Sequence, residues 1–403
     1  MMRCNFRPDR LALVVACLLS SAGICAAQNV GQPTPAKRPD SKFLVPPTTA
    51  AKSPRGDAAP PLDVDVAKLL AGAFERTQQA TTLDDYNAIV EACEQALGRP
   101  LAEEPATYAK QLAAWAYNRR GEIYAQQATQ HLAQGDAERA TDMDALALED
   151  FKASVAYDSS KFKALHNRGV SHALHGNLPA AIDDFNAVVK LKPDYANAWF
   201  NRGEVRLQRG EHAEAVADYT KSLALNPNDS GALQGRAQAC AELGQFSQAL
   251  SDLNAVLKTK PANAAALVDR GDVYAALGQW QQAIADYQQA AKLDTQSGRA
   301  YRSLAWLQAT CPDERQRGAE SALLSAEKAM EIEGEDYQTL DTLAAAYANA
   351  QRYDEARTTL EKAIELAPPG NAPAMKQRLE LYTNQKPYRD EVRTARQDTP
   401  ILR

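Results

Sequence analysis

The charged residues that recur most regularly in this sequence are an arginine and an aspartate sixteen positions apart. Four such pairs follow one another at intervals of 34 residues: Arg168 with Asp184, Arg202 with Asp218, Arg236 with Asp252, and Arg270 with Asp286. A carboxylate–guanidinium pair that recurs in this way indicates architecture rather than acid–base chemistry. We predict ion pairs between the two helices of a repeated unit or between adjacent units, with the apolar arginine stems packed into the seam.

Residues that could bind a metal or act as nucleophiles are few. His172 and His175 are three residues apart on one predicted helix, a spacing that could bind a metal. However, His172 aligns with Arg206 and Cys240 at the 34-residue interval, which favours a contact between repeats. The sequence contains no nucleophile elbow, phosphate-binding loop or zinc-protease motif. It therefore predicts neither an enzyme nor a metal site, and no cofactor.

The same 34-residue interval links small residues, glycines and prolines. These columns are Gly169, Gly203, Ala237 and Gly271; Gly176, Gly210, Gly244 and Gly278; Ala181, Ala215, Ala249 and Ala283; and Pro193, Pro227 and Pro261. A small residue in a first helix, a glycine turn, a small residue in a second helix and a closing proline describe a helix–turn–helix unit. The unit resembles the tetratricopeptide repeat (TPR) in its length and in these positions.

This resemblance implies an all-α fold, a right-handed α-solenoid of TPR helix-turn-helix repeats that binds proteins or peptides. In this family the first helices line a concave groove. Asn167 and Asn201 resemble asparagines with which some members hold an extended peptide backbone, although Gly235 and Asp269 interrupt the series. The predicted groove residues, expected to be exposed, are His166, Asn167, Phe200, Asn201, Gln234, Asp269 and Arg302.

The composition agrees with one elongated domain that binds protein rather than nucleic acid. The 403 residues carry a net charge of −6, whereas nucleic-acid binding would need clustered lysine and arginine. A solenoid grows one unit at a time, so a long chain need not form several compact domains. The predicted segments are a signal peptide at 1–27, a disordered proline-rich linker at 28–61, capping helices at 62–106, the TPR solenoid at 107–370 with four regular repeats at 162–295, and a capping helix with a tail at 371–403.

The beginning of the sequence has the features of a secretory signal. Arg3, Arg7 and Arg10 precede the apolar run 11–19, and small residues follow as far as Ala27. Nine apolar residues are too few for a permanent membrane helix. We expect cleavage near Ala27 and export to the periplasm or the medium, with a retained or lipid-linked N-terminus as the alternative and as the only route to membrane association.

Irregular segments flank the four regular repeats. The interval from Gly121 to Gly169 is 48 residues, so one unit holds 14 extra residues near 128–144, which either lengthen both helices or form a longer loop. Thr82 is placed to cap a helix, and Pro312 to end one. From residue 388 onward the sequence has little periodicity and predicts a frayed tail.

Two functions agree with these features. The first is an exported adaptor that holds a peptide or a partner helix in the groove. The second is a structural scaffold of an envelope assembly, tethered by its N-terminus.

Overall fold

The computed structural model describes residues 64–390, and the fold of this range is entirely helical. Seventeen α-helices and one 3₁₀ turn account for its regular structure, and strands are absent from these residues. The predicted all-α fold, a solenoid of helical repeats, is confirmed. The predicted signal peptide, the proline-rich linker and the tail beyond Asp390 lie outside the described residues.

The chain divides into two compact units at Pro227. In the N-terminal unit, each helix packs against the next along the sequence. Its helices are α1 (Val64–Thr77), α2 (Leu83–Leu97), α3 (Glu103–Ala133), α4 (Ala137–Tyr157), α5 (Phe162–Leu174), α6 (Leu178–Leu191), α7 (Ala196–Gln208) and α8 (His212–Leu225).

The C-terminal unit begins at Asn228 and continues the same alternation of first and second helices. Its helices are α9 (Ser230–Glu242), α10 (Phe246–Thr259), α11 (Ala264–Ala276), α12 (Trp280–Leu293), α13 (Gly298–Thr310), α14 (Ala319–Glu333), α15 (Tyr337–Asn349), α16 (Tyr353–Leu366) and α17 (Ala372–Thr383), with the 3₁₀ turn Glu314–Gln316 between α13 and α14. As predicted, α13 ends just before Pro312.

Local sequence signals set the helix ends. The Thr82 hydroxyl accepts a hydrogen bond from the Asp85 N–H, and the Asp85 carboxylate accepts one from the Thr82 N–H in return. Between the two helices of the regular repeats, glycines such as Gly210 adopt a φ of about 77°, a left-handed conformation that glycine reaches without steric cost. The predicted cap and turns are therefore present.

The stretched repeat uses its extra residues to lengthen both helices. Helix α3 has 31 residues and α4 has 21, compared with 13 and 14 in the next repeat. The turn between them lies at Gln134–Asp136, where Asp136 caps α4 by accepting a hydrogen bond from the Arg139 N–H. The structure thus selects helix extension over the longer loop.

The four Arg–Asp pairs each join the first helix of a repeat to its second helix. In the most buried pair, Arg202 donates to Asp218 from Nε at 2.8 Å and from Nη2 at 2.6 Å, and Arg206 adds a third bond of 2.7 Å. The remaining nitrogen of Arg202 donates to Asn186 of the preceding repeat at 2.7 Å. Asp218 is only 2% exposed, so its charge depends on these donors. The same two-bond geometry holds Arg168 to Asp184, Arg236 to Asp252 and Arg270 to Asp286.

A small residue in each first helix lies against a large one in the second, and the two sizes change together. A Cβ atom on Gly271 would lie 2.5 Å from the Tyr287 ring, and one on Gly203 would lie 3.0 Å from the ring of Tyr219. At the same position Ala237 already has a Cβ, and its repeat carries Leu253 in place of an aromatic ring. Glycine therefore occurs here because the ring fills the space that a methyl group would need.

We predict that Asp218→Ala destabilises the N-terminal unit by roughly 3–5 kcal/mol, because it leaves Arg202 and Arg206 without their buried carboxylate. Denaturant unfolding of the full chain measures this change. Glu214→Ala, at an exposed position of the same helix, serves as the control and should change the unfolding free energy by less than about 0.5 kcal/mol. A similarly small loss for Asp218→Ala would contradict a stabilising buried pair.

We predict that Gly271→Ala destabilises the C-terminal unit by about 1–3 kcal/mol, because the new methyl group overlaps the Tyr287 ring. Tyr287→Leu should relieve this overlap by recreating the combination of Ala237 with Leu253. A double-mutant cycle in denaturant melts should therefore give a favourable coupling energy of about 1 kcal/mol or more. Strictly additive effects of the two substitutions would show that ring size does not select glycine.

Candidate functional site

The first helices of the repeats contact one another within each unit, and their common surface is the candidate site. Helices α3, α5 and α7 form it in the N-terminal unit, and α9, α11, α13 and α15 form it in the C-terminal unit. We call this surface the first-helix face. Since side chains four residues apart lie on one side of a helix, Lys163 shares a side with Asn167, and Ala265 shares one with Asp269.

In the N-terminal unit this face contains a buried hydrogen-bond network that crosses three first helices. The Asn201 side-chain amide lies 2.9 Å from His166 Nε2, and His166 Nδ1 lies 3.4 Å from Asn167 Oδ1. The Asn167 amide donates to Asn118 Oδ1 at 3.2 Å, and Asn118 donates to Glu122 at 2.8 Å. These polar atoms are therefore satisfied by one another, as buried polar groups must be.

His166 is the central member of this network and is held in its neutral form. Its side chain is 1% exposed, and burial lowers its pKa to about 4, although the hydrogen bond with Asn167 favours the charged form. Because the Asn201 amide donates to Nε2, the proton of the neutral ring lies on Nδ1. The rings of Tyr195 and Phe185 pack within 5.2 and 5.8 Å of it.

The expectation that all seven predicted groove residues are exposed is wrong for four of them. His166, Asn167, Phe200 and Asn201 are all buried. Phe200 packs against Tyr219 of the same repeat, with ring centroids 6.1 Å apart. The repeat pattern identifies the helix on which a residue lies, but Phe200 packs within its own repeat, and His166, Asn167 and Asn201 bond to adjacent repeats. Whether these residues contribute to binding stays a prediction.

The other three predicted groove residues lie in the C-terminal unit and are partly exposed. Asp269 accepts a hydrogen bond of 3.5 Å from Gln234 and forms an ion pair of 2.7 Å with Arg299. Arg299 also reaches Asp272 at 2.6 Å. Arg302 forms an ion pair of 2.7 Å with Glu333 of the second helix of its repeat. This part of the face therefore presents charges that are already paired but are still reached by solvent.

The last repeats of the C-terminal unit hold a segment of irregular backbone. The Asp390 N–H donates to the Thr310 carbonyl at 2.9 Å, and the Asp390 carboxylate accepts from the Thr310 hydroxyl at 2.7 Å and from the Trp306 indole N–H at 2.8 Å. Arg389 donates to the Ala309 carbonyl at 2.8 Å. Residues 386–390 follow α17 without regular secondary structure.

The expectation of a frayed tail is therefore wrong for residues 388–390. The Tyr388 ring packs 6.0 Å from the Trp306 ring, and its hydroxyl donates to Asp390 at 3.0 Å. Sequence reasoning missed these contacts because they join positions about 80 residues apart and belong to no repeat. Only the aromatic and acidic composition of the segment distinguishes it from a solvated tail.

Groups that could support other chemistry are not assembled in the described part of the chain. Residues 64–390 contain no cluster of three or more His, Cys, Asp and Glu side chains suited to a metal ion. His175 Nδ1 lies 2.8 Å from the Ser171 carbonyl of its own helix. Cys93, Cys240 and Cys311 are free and buried. Within the same range, no helix combines the length and the apolar character that crossing a membrane requires.

We predict that the N-terminal unit loses stability as the pH falls from 6.5 towards 4, because unfolding lets the buried neutral His166 take up a proton. The group contributes its full stabilisation above its ordinary pKa of 6.5, and the loss approaches about 3 kcal/mol near pH 4. Denaturant melts at several pH values measure the slope. His166→Gln should remove this part of the slope, and an unchanged slope would contradict a buried neutral imidazole.

Sequence comparisons agree with this architecture. Models described as tetratricopeptide repeat match residues 126–196, 175–230, 206–261 and 337–369, and one described as TPR repeat matches residues 271–309. No protein of curated function matches the sequence.

Solved structures with a similar helical arrangement share little sequence with this chain. YrrB, described as a TPR protein with an unusual peptide-binding site, is 20% identical, with a TM-score of 0.40 over 52% of this chain and 96% of its own. A tetratricopeptide repeat protein from Parabacteroides merdae is 15% identical, with a TM-score of 0.38 over 80% and 100%. Yeast Tom70 is 13% identical, with a TM-score of 0.43 over 94% and 73%. From its sequence matches and its repeated helical pairs, the chain belongs to the tetratricopeptide repeat family.

Proposed function

We propose that this protein is an exported adaptor that binds a peptide or a partner helix on its first-helix face. Membership of the tetratricopeptide repeat family supports a role in protein–protein interaction. One observation carries the finer proposal: the first-helix face of the C-terminal unit already holds an irregular segment, Tyr388–Asp390, by both main-chain and side-chain hydrogen bonds.

The first-helix face is suited to binding because much of it is fixed before a partner arrives. In the N-terminal unit the buried network around His166 holds its side chains in place. In the C-terminal unit Arg299 is held by Asp269 and Asp272. Side chains that are already ordered lose less conformational entropy when a ligand binds.

Export is proposed from the signal-like N-terminal sequence, and the cysteines are compatible with it. Cys93 is buried, and burial raises its pKa to about 12, so it remains a thiol that reacts slowly. Stacked helices bury enough surface to be stable without disulfides. Fractionation of the native host tests this part of the proposal: recovery of the intact protein only from the cytoplasm would contradict export.

Site-specific photocrosslinking in the native host's envelope fraction tests the adaptor role. Crosslinking amino acids replace Lys163 and Ala265 on the first-helix face, one in each unit, and matched controls replace Leu191 and Leu293, which are 48% and 41% exposed on second helices. We expect the first-helix positions to capture one dominant protein and the controls to capture little. Capture only at the second-helix positions would favour the structural scaffold and contradict binding on the first-helix face.

A further inference from the structure

We propose that the place occupied by Tyr388–Asp390 is a recognition site for an extended peptide with an aromatic residue followed two positions later by a carboxylate. Its walls are Trp306 and Thr310 of α13, Asn349 of α15 and Arg378 of α17, and we call it the tail site. The chain's own segment is the resident occupant, and a partner peptide of the same pattern displaces it. This inference rests on the proposed function and specifies its ligand.

The two donors that bind the Asp390 carboxylate, Trp306 and Thr310, allow another carboxylate to replace it. The Trp306 indole N–H donates to Asp390, and it can only donate. The Thr310 hydroxyl lies 2.7 Å from Asp390 and 2.8 Å from the Trp306 carbonyl of its own helix, and its single proton serves one of them at a time. When the carboxylate leaves, this hydroxyl can turn to the helix carbonyl. When the segment leaves, water must therefore satisfy the indole N–H, the Thr310 and Ala309 carbonyls and the Asn349 side-chain oxygen.

The aromatic position is formed before any occupant binds. The Tyr388 ring lies beside Trp306, and the Arg378 guanidinium is 5.5 Å from its centroid. Arg378 is also 5.3 Å from the Trp306 ring, and its Nε donates to Asp341 of α15 at 3.0 Å. Because the body of the protein holds Arg378 through Asp341, a cationic and aromatic surface is ready for any aromatic side chain.

Two features of the resident segment oppose its binding. Burial and the charge of nearby Arg317 lower the pKa of Arg389, so this side chain is charged in unfavourable surroundings. The turn that returns the segment to the face contains Gln385 at a φ of 57°, a left-handed conformation that a non-glycine residue rarely adopts. A peptide supplied by a partner needs no such turn, and one without the arginine avoids its burial but loses the bonds to Ala309 and Asn349.

The binding of a free peptide to an emptied site tests this inference. The full chain with Tyr388→Ala, Arg389→Ala and Asp390→Ala supplies the emptied site, and the probe is a fluorescein-labelled synthetic peptide with the sequence of residues 384–392. Fluorescence anisotropy should show saturable binding to this variant. The unaltered chain should bind at least about tenfold more weakly, since its tethered segment competes at an effective concentration of the order of millimolar.

Two controls make the result specific to the tail site. A second peptide, with alanine in place of the tyrosine and asparagine in place of the aspartate, should not bind the emptied chain. Adding Trp306→Phe, which keeps a ring but removes the indole N–H, should weaken binding of the original peptide while the thermal midpoint of the protein stays close to that of the emptied variant.

Three results would overturn the inference. The emptied chain could fail to bind the original peptide, or it could bind both peptides equally. The unaltered chain could also sediment as a dimer that dissociates in the emptied variant, which would assign the site to the tail of a second copy. In each case, continued capture of one partner by crosslinkers on the first-helix face would leave the adaptor proposal standing. Failure of the tail-site inference is therefore distinguishable from failure of the adaptor proposal.

Discussion

The buried carboxylate that joins the two helices of each regular repeat is the interaction on which the rest of the structure depends. Asp184, Asp218, Asp252 and Asp286 are all at most 7% exposed, and an unpaired charge at that depth would strongly favour unfolding. Each is held by two bonds from one arginine, which fix the position of the second helix along the first. In the two repeats where Leu304 and Leu343 replace the arginine, alanine-rich apolar cores, one between α13 and α14 and one between α15 and α16, provide this contact instead.

Because helix pairing is settled inside each repeat, positions on the first-helix face are free to vary, whether they are buried or exposed. One column of this face carries His166, Phe200, Gln234, Val268 and Arg302 without loss of the fold. In the N-terminal unit the column contributes His166 to a buried network, and in the C-terminal unit it contributes Arg302 to a partly exposed ion pair with Glu333. The same architecture therefore accommodates different side-chain chemistry at one column of the repeat.

The sequence predicts structural features that depend on neighbouring residues, and it does not predict contacts between residues far apart in the chain. The cap at Thr82 and the glycine turns follow from local signals, and the structure contains both, whereas the interval from Gly121 to Gly169 allowed either longer helices or a longer loop. The Arg–Asp partners could be paired because they recur at one interval. Burial of Asn201 depends on how the adjacent repeat stacks, and the contact of Asp390 with Thr310 follows no period. Neither leaves a pattern in a single sequence.

The tail site arises from the same change that ends the regular repeats. At the position of Trp306 two of the four regular repeats carry Glu204 and Asp272, which accept hydrogen bonds from the hydroxyls of Tyr219 and Tyr287 at 2.6 and 2.7 Å, and the other two carry Val170 and Gln238. The repeat of α13 and α14 has lost that tyrosine, so a carboxylate at this position would lack its partner. Trp306 places a hydrogen-bond donor where those repeats have an acceptor, and its indole N–H donates to Asp390 of the tail. The hydrogen bond that Glu204 and Asp272 each accept within their own repeat is thus replaced by one that Trp306 donates to a carboxylate outside its repeat.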